Sequence, residues 1–63
     1  MPVAIVNLIE GRSVEKKKAM IIAVTKAISE SLDAPVESIR VIIQEVPSTD
    51  WGIAGKTAKD MGR

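Results

Sequence analysis

The sequence predicts an α/β fold: a single βαβ unit with parallel strands and a short C-terminal hairpin, its sheets completed by oligomerisation. Three observations carry this reading. Two runs rich in β-branched residues, Val3 to Ile9 and Ile39 to Val46, have the character of strands. The stretch between them repeats its apolar residues at helical spacing. Finally, the chain has 63 residues, 46% of them hydrophobic, with no Cys and no His. A domain of about 60 residues buries only about 60% of its unfolded surface. Small chains make up the shortfall with disulfides, metals or association, and here the first two routes are closed or weak. Residues 1–63 therefore form one domain whose aliphatic surface is expected to be buried by further subunits.

Charge and hydropathy exclude several classes of partner. Nine basic residues balance eight acidic ones, which leaves no nucleic-acid signature. No apolar run approaches the roughly 20 residues of a membrane span. The first residues lack the basic and hydrophobic regions of a signal peptide. A cytoplasmic location is the expectation, and the absence of Cys fits a reducing compartment.

The elements follow in order. Val3 to Ile9 is almost continuously apolar, as in strands covered on both faces. Asn7 interrupts it, as a satisfied strand amide or as a ligand-facing one. Glu10-Gly11-Arg12 turns the chain, and Ser13 is placed to cap a helix running from Val14 to Leu32. Glu15 lies in the first turn, where the helix dipole favours an acid. Met20, Val24, Ala27, Ile28 and Leu32 make one apolar stripe, widened by Ile21 and Ile22. Ala19 and Ala23 are small enough for close approach to a sheet. Lys16, Lys17, Lys18, Lys26 and Glu30 belong to the wet side; the lysine run is a solvated face or steers an anion. Pro35 stops the helix, because the residue before proline avoids helical geometry.

Ile39 to Val46 is the second strand, parallel to the first with a right-handed crossover. Pro47 to Asp50 is turn chemistry. Trp51 to Gly55 reads as a brief hairpin or edge strand, and Thr57 to Met61 as one helical turn. A two-stranded sheet is not independently stable in water, which again points to association.

Few residues can do acid-base or anion chemistry. Without His, Cys or Tyr there is no Ser-His-Asp triad and no His-based metal site. Methionine before a small residue is normally trimmed, and loss of Met1 would leave Pro2 with a free secondary amine, at once a base and a nucleophile. To act as a base it must stay neutral, and burial and nearby positive charge both lower an amine's pKa. Arg12 sits at the cation-disfavouring end of a helix. It is either a solvated loop residue or a bidentate carboxylate clamp. Arg40 is a strand-end charge or a second anion contact. Trp51, the only aromatic residue, is a core or interface plug or an apolar wall beside a site.

In this order and spacing, several stretches together resemble the 4-oxalocrotonate tautomerase family, the short-chain branch of the tautomerase superfamily. They are Met1-Pro2, Leu8-Ile9-Glu10-Gly11-Arg12, Ser31-Leu32-Asp33-Ala34-Pro35, Ser38-Ile39-Arg40-Val41-Ile42-Ile43 and Trp51-Gly52-Ile53-Ala54-Gly55. The resemblance covers essentially the whole chain. It implies a homo-oligomer, a hexamer arranged as a trimer of dimers, and Pro2 as catalytic base once Met1 is removed. It implies that Arg12 binds the substrate's distal carboxylate, and that Arg40 of a neighbouring subunit holds the other carboxylate and the 2-oxygen. Trp51 stands where the family usually has Phe, and with Ile9 would line the apolar pocket. The implied reaction is enol–keto tautomerisation of a small dicarboxylate such as 2-hydroxymuconate, within aromatic hydrocarbon catabolism and without a cofactor. Gly62 falls where some relatives carry a basic residue, with Arg63 following. Superfamily members that dehalogenate haloacrylates carry an arginine where this chain has Ile9 and an acid where it has Ile53, so the resemblance does not extend to them. Two other readings are a tautomerase for a different 2-oxo acid, such as an arylpyruvate enol, and a non-catalytic oligomerisation subunit.

Overall fold

A computed structural model describes residues 1–63. Its order is β1 (Val3–Ile9), α1 (Val14–Leu32), a 3-10 turn at Val36–Ser38, β2 (Arg40–Val46), a second 3-10 turn at Ser48–Asp50, then β3 (Gly52–Ile53) and β4 (Lys56–Thr57). β1 and β2 pair in parallel from Val3↔Arg40 to Ile9↔Val46. β3 and β4 form the C-terminal antiparallel hairpin. The βαβ expectation holds, and the helix has the expected bounds. The second strand begins one residue later than expected, because Ile39 closes the preceding 3-10 turn by donating its N–H to Val36 O.

Local chemistry explains these boundaries. Ser13 Oγ accepts the Lys16 N–H at 3.2 Å and caps α1. At the other end Asp33 adopts φ 57 and ψ 37, and its N–H donates to Ser29 O. An αL residue at a helix end is usually Gly. Asp tolerates it through its short polar side chain. Ala54 and Gly55 turn the hairpin with φ of 52 and 83, the double positive φ of a two-residue turn whose twist matches antiparallel strands. The hairpin runs further than expected, because Lys56 and Thr57 form β4; residues 58–62 are turns and no helix, with the Met61 N–H donating to Thr57 O at 3.3 Å.

The sheet is covered on one face only. Ala4, Val6, Leu8, Val41 and Ile43 are half-buried on the side where α1 lies over the strands. Val3, Ile5 and Ile42 are exposed on the other. Only Ile39, 7% exposed, and Ala58, fully covered, are buried in the single chain. The sequence reading of strands covered on both faces is therefore met on one.

The helix stripe is also narrower than expected. Met20, Val24 and Ile28 are half-buried, but Ala27 and Leu32 are exposed, as are Ala19 and Ala23. A helix of 19 residues spans about 28 Å, against about 23 Å for a seven-residue strand, so the last turn overhangs the sheet. At roughly 100° per residue the alanines fall beside the Met20–Val24–Ile28 line, beyond the reach of two strands. Lys17, expected on the wet side, continues that inward line and is half-buried.

Candidate functional site

The seven-residue length of β1 separates the candidate residues into two groups. Pro2 precedes the strand, half-buried, and its carbonyl accepts the Arg40 N–H at 3.0 Å. The parallel register, Val3 opposite Arg40, makes this adjacency unavoidable. The Arg40 guanidinium curls back over the first 3-10 turn, donating to Glu37 O at 2.7 Å and Ile39 O at 3.4 Å. In the 1–63 chain the Pro2 nitrogen is bonded to Met1, which is exposed. A free amine there requires removal of that residue.

Arg12 stands at the opposite end of β1. Gly11, with φ 134, swings the chain out of the strand, a conformation that favours glycine. The Arg12 side chain is exposed and makes one long hydrogen bond, to Ile9 O at 3.4 Å. With Asn7, Leu8, Ile9 and Trp51 it lines a pocket of 250 Å³. Arg12 is the one charged group in that lining, and Leu8, Ile9 and Trp51 supply its apolar wall. Trp51 reaches it because the turn at Ser48–Asp50 folds the chain back after β2. That return is tied by the Ala58 N–H to Trp51 O at 2.8 Å and the Lys59 N–H to Ser48 O at 3.1 Å.

Arg12, Ile9 and Trp51 thus come together within one chain, as do Pro2 and Arg40. The two groups lie on the order of 20 Å apart, the length of the strand between them. Leu8 belongs to the pocket lining although sequence reasoning did not place it there, and Asn7 lines it in keeping with the ligand-facing one of its two readings. Strand alternation was the available signal for Asn7, which shares a face with Ile9. A larger groove of 470 Å³ runs along α1 between Ile21, Ile22, Thr25, Ser29 and Val36, and contains none of the candidate residues. Arg63 closes the chain with its N–H on Ala58 O at 2.9 Å. No group of three or more His, Cys, Asp or Glu residues comes together as a metal site. No helix is long and apolar enough to cross a membrane.

Comparison with known proteins gives a uniform result. Residues 2–61 match the family described as tautomerase enzyme. A 2-hydroxymuconate tautomerase of Stutzerimonas stutzeri is 52% identical over 63 residues, covering 100% of both chains. One from Comamonas testosteroni is 51% identical over the same full length. Among solved structures, an apo unfused 4-oxalocrotonate tautomerase superposes with a TM-score of 0.92 at 45% identity, covering 95% of this chain and 98% of that one. A heterohexameric 4-oxalocrotonate tautomerase from Chloroflexus aurantiacus gives 0.93 at 34% identity, covering 97% and 98%.

Proposed function

The chain belongs to the tautomerase family and is a tautomerase of the 2-hydroxymuconate type, and from that premise we propose that it converts a small 2-hydroxy dienoic dicarboxylate, such as 2-hydroxymuconate, to the conjugated ketone with Pro2 as base. The observation that carries the reading is the pocket at the end of β1. It holds a single guanidinium, Arg12, against an apolar wall of Leu8, Ile9 and Trp51. Such a pocket suits one carboxylate on an otherwise apolar unsaturated chain, since guanidinium binds carboxylates in a fork.

The separation of the two groups sets the assembly. A small dicarboxylate cannot span the length of β1, so Pro2 and Arg12 of one chain cannot serve one substrate molecule. Association of copies running in opposite directions would set Pro2 of one chain beside the Arg12 pocket of another. The exposed sheet face of Val3, Ile5 and Ile42, with only two buried residues in the single chain, supports burial between subunits. We take the assembly to be a homo-oligomer, a hexamer by analogy with the heterohexameric relative.

In this reading the secondary amine of Pro2, freed by loss of Met1, takes the proton from the substrate's 2-hydroxyl. Electron density moves along the diene toward the carboxylate held by Arg12, and the proton returns to carbon. Arg40, contributed by a neighbouring subunit, holds the other carboxylate and the 2-oxygen. Every atom and charge is conserved by moving one proton, and the step invokes no cofactor. An uncharged pocket wall strengthens the pull of Arg12, because charge interactions grow as water is excluded.

The test is the rate of ketonisation of 2-hydroxymuconate beside that of an arylpyruvate enol. Preference for the dicarboxylate is expected. Preference for the monocarboxylate would transfer the assignment to the other 2-oxo acid class. No turnover of either would leave a subunit that only assembles.

A further inference from the structure

The segment that carries Arg12 has little of its own to hold it. Gly11 and Arg12 are exposed, and the Arg12 side chain has one long hydrogen bond. What fixes the segment is its two ends, and both are held by the last two residues of β2. The Glu10 N–H donates to Val46 O at 2.9 Å. On the far side, Lys17 Nζ donates to Glu45 Oε1 at 2.9 Å, with the two side chains only 25% and 27% exposed. Lys17 is tied in turn to the helix start, its N–H donating to Ser13 O at 3.1 Å. It is the one charged residue on the inward line of α1 otherwise made by Met20, Val24 and Ile28. A cation placed there needs a partner, and Glu45 is that partner.

Resting on the tautomerase reading above, we propose that the Lys17–Glu45 pair is a positioning clamp for Arg12. It fixes the N-terminus of α1 against the end of β2. The four-residue bridge from Glu10 to Ser13 then has one span to cross, and Arg12 faces the Trp51 wall. Neither residue lines the pocket, so the pair acts through Arg12 and not on substrate. Pairing also neutralises Lys17, the one lysine of the Lys16–Lys18 run that turns inward. The second ion pair of the helix, Lys26–Glu30 at 3.9 Å with 78% and 66% exposure, lies away from the bridge and serves as a control.

The experiment measures kcat and KM for 2-hydroxymuconate and for phenylenolpyruvate, a monocarboxylate enol. Lys17→Met keeps the apolar stem and removes the charge; Glu45→Gln removes the other. Each is expected to lower kcat/KM for the dicarboxylate about fivefold, the scale of coupling within one network, with the monocarboxylate parameters little changed. Exchanging the charges, Lys17→Glu with Glu45→Lys, should restore most of the loss, and Lys26→Met should change nothing. In an Arg12→Ala background, Lys17→Met should add no further dicarboxylate loss. A purely structural pair would instead lower both substrates equally, and that result overturns the clamp. A dicarboxylate-specific loss in Arg12→Ala without one in Lys17→Met refutes the clamp alone. No such loss in Arg12→Ala refutes the proposed function, and the clamp with it.

Discussion

Arg12→Ala removes a side chain that the fold barely uses. Arg12 is exposed, and its one intramolecular hydrogen bond, to Ile9 O, is 3.4 Å long. Surface substitutions of this kind change stability by about 0.5 kcal/mol or less, so the melting temperature should hardly move. The loss in binding is larger. A hydrogen bond to a charged group contributes about 1.5–3 kcal/mol. That converts to roughly 10- to 150-fold in kcat/KM for a substrate whose carboxylate occupies the pocket. A monocarboxylate enol has nothing to place there and should lose far less. Arg12→Lys keeps the charge but not the planar fork, and should recover only part of the dicarboxylate rate. The assay is steady-state ketonisation of both enols at matched protein concentration, with a thermal melt of each variant. Equal losses on the two substrates would refute the carboxylate clamp. A fall of many degrees in melting temperature would show that Arg12 serves the fold.

Two further predictions concern the frame around the site. Ile39→Ala opens a cavity at one of the two buried positions and should destabilise the protein by about 2–5 kcal/mol, read by urea unfolding with Trp51 fluorescence; a loss well under 1 kcal/mol would mean that Ile39 is not a core residue of the assembled protein. Ile5→Asp sets a charge on the exposed sheet face, where burial between subunits would leave it unpaired. Sedimentation should then show a smaller species than the parent, and an unchanged mass would place that face outside the interface.

Much of this architecture is written locally. Ser13 marks the helix start through its hydroxyl, and Pro35 forbids continuation, so the bounds of α1 were legible. The parallel direction of β1 and β2 follows from the βαβ order, whereas the register that sets Pro2 beside Arg40 is visible only in the fold. What was not legible is which apolar helix residues face the chain's own sheet. Ile22 and Leu32 are as apolar as Val24 and Ile28, yet remain 69% and 64% exposed. The width of two strands decides this for Ile22 and their length decides it for Leu32, and hydropathy encodes neither dimension. For the same reason Lys17 read as solvated: its partner Glu45 is distant in sequence, and only the packing of α1 over β2 brings them together. The site divides in the same way. Arg12 and Trp51 were each open to a bland reading, and their shared pocket depends on the turn after β2. Their relation to Pro2 lies beyond any single chain, because β1 holds the two groups apart.

The measurement that bears most directly on the central claim compares two forms of the untagged protein in ketonisation of 2-hydroxymuconate, followed by ultraviolet absorbance. In one, mass spectrometry confirms that Met1 is gone and Pro2 carries a free amine. In the other, Met1 is retained and the same nitrogen is an amide. Rapid turnover by the first form and near-complete loss in the second is the predicted result. Equal turnover by both would remove Pro2 from the chemistry.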